Sequence, residues 1–270
     1  VGLALPKGGR LSLALIDGDE AVFKACTAKV EDIDWDSGAT VTRLPTFEEA
    51  AANLRKLFTS WTGDAGCAAY RVILSPDDRK LFRRGIDPTY KEGRSEKPEN
   101  FWPLVAYIRS EHDHEAIPGL EADDVMGIMT GPKAVIVSSD KDMKTVPGRL
   151  LNPGRGTFTV IGRHEADRWW MYQTLAGDPT DGYSGAWKIG PKKAEAVLDQ
   201  GYSLKEWWPL VVDAFLKPKN KKGEGVQTVQ EARTNAMLAR ILRPGDYTAG
   251  HISYQLGAHP VELDVARISR

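Results

Sequence analysis

Three short apolar runs punctuate the first half of the chain, and acid follows each of them. "LSLALID" (11–17) closes on Asp17, "AAYRVILS" (68–75) leads into "PDD", and "KAVIVSSD" (133–140) closes on Asp140. Runs this short and rich in Val, Ile and Leu predict strands buried in a parallel sheet. Between them the pattern changes period. In "TFEEAANLRKLFTSW" (46–60), Ala50, Leu54, Leu57 and Phe58 share one helical face, and Thr46 with Glu49 forms a capping box. "PENFWPLVAYIRSEH" (98–112) and "EADDVMGIMT" (121–130) also read as helices. Alternating strand and helix predict the α/β class, a mostly parallel central sheet flanked by helices.

After "GTFTVIG" (156–162) the pattern turns helical, through "RHEADRWWMYQTLAG", "PKKAEAVLDQG", "SLKEWWPLVVDAFLK" and "VQEARTNAMLARIL". The expected division is an α/β core over 1–162 and a helical subdomain over 163–270, with no further strand in the second part. The paired tryptophans Trp169–Trp170 and Trp207–Trp208 read as core. The Lys- and Gly-rich stretch 217–226 reads as a mobile loop.

Composition adds one asymmetry. With 36 basic and 37 acidic residues the net charge is −1, yet the charges are segregated. Residues 79–94 carry Arg79, Lys80, Arg83, Arg84, Lys91 and Arg94 against Asp87 and Glu92, and "KPKNKK" (217–222) adds four lysines. The acids gather at a few turns instead, which suggests a polyanion partner meeting a cation-binding centre. Cys26 and Cys67 lack metal-type spacing and read as small core residues in a reducing compartment. No apolar run approaches the length of a membrane span, and no signal-peptide pattern opens the sequence, so an intracellular protein without membrane contact is expected.

Ligands of an open α/β sheet bind beyond the carboxyl ends of its strands. One Asp pair there is most often a solvated turn. Here Asp17 with Asp19, Asp77 with Asp78, and Asp140 with Asp142 follow three strands, and "GLEADDVMG" adds Glu121, Asp123 and Asp124. Keeping so many acids neutral by protonation would need large upward pKa shifts, whereas a hard divalent cation neutralises them directly, and oxygen ligands suit Mg²⁺ or Mn²⁺. Zinc fits poorly, because His112 and His114 lie in the charged stretch "SEHDHE". Carboxylate-held metals about 3.5–4 Å apart serve phosphodiester cleavage, so a nuclease is the leading reading. Asp178 and Asp181 in "GDPTDGYSGAWKIGPKKAEAVL" (177–198) form a further acid pair. The Gly190-Pro191 turn behind them opens a helix whose N–H groups, with Lys188, Lys192 and Lys193, suit phosphate.

Taken together, "LIDGD", "FRRGIDPTYKEGR", "GLEADDVMGIM", "VIVSSDKDM" and "GDPTDGYSGAWKIGPKKA" resemble the 5′-3′ exonuclease/flap endonuclease family over roughly residues 13–200. That family includes the nuclease domain of bacterial DNA polymerase I and standalone phage exonucleases, and the phage type is the better likeness. The resemblance implies a PIN-like sheet, a helical arch or gateway within the basic insert (about 79–118), and a helix-hairpin or helix–three-turn–helix element gripping duplex DNA. It implies two or more Mg²⁺ ions, replaceable by Mn²⁺, held by Asp17, Glu121, Asp123, Asp124, Asp140, Asp142, Asp178 and Asp181. "SPDDRKLFRR" offers Asp77 or Asp78 as a further ligand, and Asp77 is taken. Lys91 would contact the scissile phosphate, Arg94 and Arg83 would assist, and Tyr90 would stack on a base. Lys188, Gly190, Lys192 and Lys193 would hold the duplex, with K⁺ at the hairpin, although Lys188-Ile189-Gly190 departs from the family's Gly-x-Gly. The expected partner is DNA with a 5′ end, nick or flap, or an RNA–DNA hybrid, met by a monomer in a bacterial or phage-infected cytoplasm during replication or repair. The rivals are a PIN-type ribonuclease and a non-catalytic DNA-structure-binding protein.

Overall fold

The computed structural model describes residues 11–35, 37, 39–76, 80–217 and 226–268. Its first half runs β1 (Leu11–Asp17), α1 (Gly18–Thr27), β2 (Val30–Ile33), β3 (Thr40–Arg43), α2 (Phe47–Asp64), β4 (Cys67–Ile73), α3 (Phe82–Ile86), α4 (Phe101–Glu111) and β5 (His114–Glu115). Next come α5 (Ala122–Met129), β6 (Ala134–Val137), a 3₁₀ turn (Lys141–Thr145), β7 (Gly148–Asn152) and β8 (Thr157–Ile161). The remainder is α6 (Arg163–Ala176), α7 (Pro191–Leu198), α8 (Leu204–Phe215), α9 (Val229–Ala239), β9 (Tyr247–Thr248), β10 (His251–Leu256), β11 (His259–Asp264) and α10 (Val265–Ile268).

The central sheet has the order β5-β4-β1-β6-β7-β8. All neighbours are parallel except β7 and β8. The α/β class and the mostly parallel sheet expected from the sequence are therefore present. β1 is central, with Asp17 beside Ile73 of β4 and Ile16 beside Val137 of β6, so the carboxyl ends of three strands open on one edge. Side chains alternate across a strand. Ala14 and Ile16 thus join Val22, Leu54, Phe58 and Phe101 in a core under α1, α2 and α4. Leu15 and Ile136 face the other way, into a core shared with Val125, Trp170, Phe215 and Leu242. Trp170, Trp207 and Trp208 are buried, as are both cysteines, which are free. Trp169 is only half-buried, stacked on Tyr172. The capping box of Thr46 and Glu49 opens α2.

Three features differ from expectation. The C-terminal part is helical as far as α9, but β9–β11 then form a three-stranded sheet. Its signature is the alternation along "HISYQL", which buries Ile252, Tyr254 and Leu256 and exposes the residues between. An unanticipated hairpin pairs β2 with β3. The basic insert expected to form a helical gateway over about 79–118 is helical only in part: α3 and α4 lie within it, but between them "YKEGR" is not helical, since residues 88–93 are successive turns, broken by Pro88 and Gly93, with Lys91 in the left-handed region at φ 55°. Asp77 and Asp78, and the lysine-rich stretch over 218–225, lie outside the described residues.

Candidate active site

The helix α5 begins at the open sheet edge and presents its acids at its first turn, where free N–H groups favour negative charge. Asp124 is fully buried and faces inward. Its Oδ2 accepts from Arg83 Nη1 at 2.6 Å and its Oδ1 from Arg83 Nη2 at 2.8 Å. Leu242 N donates to the same Oδ1 at 3.1 Å, and Glu121 N to Oδ2 at 3.3 Å. Asp124 is therefore an internal counterion with its oxygens engaged, not the metal ligand expected from the resemblance. Arg83 is corrected with it. Completely buried, it also donates to Leu238 O at 3.1 Å and to Arg240 O, so it ties α3 and α5 to the segment after α9 and presents nothing to a phosphate.

Tyr90 is likewise reassigned. Only 2% of it is exposed, and its hydroxyl donates to Glu121 Oε2 at 3.0 Å and Asp181 Oδ2 at 3.2 Å, leaving no ring face open to a base. Lys91 Nζ sits 2.6 Å from Glu121 Oε1 and 3.4 Å from Asp181 Oδ2. Against the burial that opposes charging, Glu121 and Asp181 push the Lys91 ammonium up to about 12. Against the burial that would raise it, Lys91 and Arg83 bring Glu121 down to about 2. Arg94, half exposed, donates to Asp181 Oδ1 at 3.0 Å. These groups open into a cleft of about 620 Å³ whose walls include Asp19, Phe23, Lys91, Arg94, Trp102 and Glu121.

Three acids stand apart. Among the described residues Asp17, Asp123 and Asp140 have no ion-pair partner. Asp17 caps α1 by accepting from Glu20 N at 3.0 Å, and accepts from Ser138 Oγ at 2.9 Å. Burial, with Asp19 close by, raises its carboxyl to about 7. Burial and the neighbours Asp140 and Asp17 raise Asp123 well above the usual range, and burial also raises Asp140. Asp140 accepts from Asp142 N at 2.8 Å, and its own N–H donates to Ser138 Oγ at 3.1 Å. The fully buried Ser138 hydroxyl thus joins Asp17 to Asp140.

A second acid group lies where the loop after α6 meets the 3₁₀ turn. Gly177, at φ 72°, lets that loop fold tightly, since a Cβ there would meet Ser184 C at 2.4 Å. Asp178 accepts from Lys141 Nζ at 2.7 Å and from Thr180 N at 2.9 Å. Although burial opposes it, the Lys141 contact keeps the Asp178 carboxyl low. Asp142, buried and accepting from Gln173 Nε2, is raised to about 7 by burial and by Asp140.

This donor set fits hard divalent cations. It is all oxygen, several of its acids are buried without counter-charge, and ammonium groups sit on two others. Among the described residues no three ligating side chains already close into a metal cage. The acids are instead arrayed along the edge, with Lys91 on Glu121 and Lys141 on Asp178. Sequence reasoning missed Ser138, although "VSSD" places it beside Asp140, and missed Gln173, which no motif marks.

The hairpin before α7 exposes Lys188, Lys192 and Lys193, with Gly190 as N-cap and Pro191 in the first helical turn. Lys188 adopts φ 57°, and Lys193 Nζ donates to the Lys188 carbonyl at 3.0 Å. That carbonyl already faces an ammonium, which fits K⁺ coordination poorly.

Comparison with known proteins identifies the family. The family described as "5′-3′ exonuclease, N-terminal resolvase-like domain" matches residues 12–151. The exodeoxyribonuclease of enterobacteria phage T3 is 29% identical over 233 residues, which cover 79% of this chain and 73% of that one. The exonuclease of Escherichia phage T7 is 32% identical over 187 residues, covering 64% of this chain and 62% of its own length. A phage T5 protein co-crystallised with metal ions superposes with a TM-score of 0.60 at 15% identity, covering 84% of this chain and 89% of that one. A phage T5 flap endonuclease in a pseudo-enzyme-product complex with DNA and metal ions gives 0.56 at 14% identity, covering 84% and 86%. At those identities the superpositions speak to the fold. With more than half of its length matched by the family's own pattern, the chain belongs to the 5′-3′ exonuclease/flap endonuclease family.

Proposed function

We propose that the protein is a divalent-metal-dependent, structure-specific 5′ nuclease. It hydrolyses DNA phosphodiesters near a 5′ end, nick or flap, leaving 5′-phosphate and 3′-hydroxyl groups, in replication or repair. One observation carries this reading: acids from β1, the start of α5, the turn after β6 and the loop after α6 lie close enough at the carboxyl edge of the sheet to act on one another, and Lys91 and Arg94 pair with two of them, Glu121 and Asp181, beside the cleft. Asp17, Asp123 and Asp140, with Glu121, would hold one cation, and Asp142, Asp178 and Asp181 a second. Mg²⁺ or Mn²⁺, when bound there, lowers the pKa of water and neutralises charge developing on the phosphate.

The chain supplies the remainder. Lys91, once released from Glu121, places an ammonium against the scissile phosphate, and Arg94 adds a second cation at the cleft mouth. Ser138 holds Asp17 and Asp140 in fixed relative orientation. Lys188, Lys192 and Lys193 grip the duplex backbone without reading sequence, in a hairpin element that works as a helix–turn–helix clamp. The Lys193 ammonium on the Lys188 carbonyl argues for a grip without K⁺. The sheet is read as PIN-like, residues 1–162 as the nuclease core and 163–270 as the DNA-gripping part, acting as a cytoplasmic monomer. No helix among the described residues is long and apolar enough to cross a membrane.

Digestion of a 5′-labelled flapped DNA duplex and a matched RNA hairpin in Mg²⁺ tests the substrate class. Release of short labelled DNA with the RNA left intact is expected. Preferential RNA cleavage would favour a PIN-type ribonuclease, and flap binding without cleavage a non-catalytic DNA-binding role.

A further inference from the structure

The second acid group contains two polar atoms that the protein itself leaves unpartnered. Gln173 is 3% exposed on the inner face of α6, where its Nε2 donates to Asp142 Oδ1 while its Oε1 has no hydrogen-bond partner. Tyr183 is also 3% exposed, and its hydroxyl is likewise unpartnered. Its backbone is bridged to Asp178, with Asp178 N donating to Tyr183 O at 2.8 Å and Tyr183 N to Asp178 O at 3.1 Å. The acids that bear most strongly on its hydroxyl are Asp142, Asp178 and Asp181. Buried polar atoms are almost always hydrogen-bonded, so two unpartnered ones within an acid group call for an occupant rich in hydrogen bonds. Apolar ligands are excluded by the acids, and anions by their charge. A hydrated divalent cation satisfies both, because its water shell donates hydrogen bonds that an amide oxygen and a phenol oxygen can accept.

We propose that Gln173 and Tyr183 are positioning residues of the second acid group. Gln173 fixes Asp142 through its amide N–H, and its free oxygen together with the Tyr183 hydroxyl takes up the hydration shell of the cation held by Asp142, Asp178 and Asp181. The proposal rests on the nuclease reading and names the residues that set affinity at one of its two acid groups. It also accounts for the choice of an uncharged Gln at this place: a further basic side chain beside Lys141 would compete with the metal, and an aliphatic one would leave Asp142 free to turn.

The test is Mn²⁺ titration calorimetry on the DNA-free protein, with Asp178→Asn defining the binding phase that belongs to the second group. Gln173→Leu and Tyr183→Phe should each weaken that same phase about 10–100-fold and leave the other phase unchanged. Tyr183→Phe separates positioning from mere packing. It removes an unpartnered hydroxyl, so the metal-free protein should melt at the same temperature or higher while Mn²⁺ affinity falls. Isotherms of both variants that overlay the wild type would overturn the proposal. Failure of the underlying nuclease reading would look different: the wild type itself would bind no Mn²⁺ and cut no flapped duplex.

Discussion

At the scale of single residues, two carboxylates one position apart carry opposite roles. Asp123 is half-buried with no ion-pair partner among the described residues and is hard to ionise, whereas Asp124 is fully buried inside the Arg83 fork. Asp123→Asn removes a like-charge strain, so in chelator the variant should melt higher than wild type while cleavage falls to background. Asp124→Asn leaves Arg83 partly unpaired and should cost about 3–5 kcal/mol, read by urea unfolding. A similar loss of stability in both variants would contradict the assignment. The sequence made the crowding of acids legible. It could not show which acid looks inward, because Asp124 is satisfied by Arg83 and by the backbone of Leu242, brought near only by tertiary packing. Tyr90 illustrates the same limit, since an aromatic in a basic stretch reads equally well as a base platform or as a buried hydrogen-bond donor.

At the scale of elements, the central strands β1, β4 and β6 and the long helices were legible because burial on one or both faces stamps a period on the chain. β1 occupies the residues its apolar run predicts, and α2 opens at its predicted cap. The sheet β9–β11 escaped notice because its strands alternate buried and exposed positions and follow a long helical stretch, so local pattern was read as continuation. The turns over 88–93 follow from Pro88, Gly93 and the left-handed Lys91, features that resemblance to a helical gateway overrode. Position along the chain also hides the close approach of α5 to the segment after α9. A Cβ on Gly127 would lie 2.1 Å from the Leu242 carbonyl oxygen and 3.1 Å from Ile241 Cγ2. Gly127→Ala should therefore destabilise by about 1–3 kcal/mol in chemical denaturation. It should also lower nuclease activity at temperatures where the variant remains folded, because Glu121 and Asp123 stand on the first turn of the same helix. Unchanged stability and activity would show that the two segments are less tightly apposed.

At the scale of the whole molecule, the charge segregation seen in the sequence resolves into acids at the sheet edge and cations at the cleft mouth and hairpin. That arrangement makes the metal-free fold sensitive to pH in a definite direction. Burial pushes the Asp17 and Asp142 carboxyls up to about 7 in the folded chain, above the ordinary carboxylate value they regain when unfolded. Between about pH 4 and 7 the folded state holds more protons than the unfolded one, so stability falls as pH rises through that window. In chelator the melting temperature should drop from about pH 5 to about pH 7.5, and Mn²⁺ should restore it at the higher pH. A melting temperature that rises across this range would contradict the unpaired state of these acids. The central claim is that the acid array makes the protein a metal-dependent 5′ nuclease, and one paired measurement addresses it most directly. Wild type and Asp140→Asn are compared on a 5′-labelled flapped duplex, for cleavage in Mg²⁺ and for binding in Ca²⁺. The account predicts cleavage by wild type in Mg²⁺ but not in chelator, and an Asp140→Asn protein that binds the flap yet does not cut it. Absence of cleavage by the wild type, or undiminished cutting by Asp140→Asn, would contradict it.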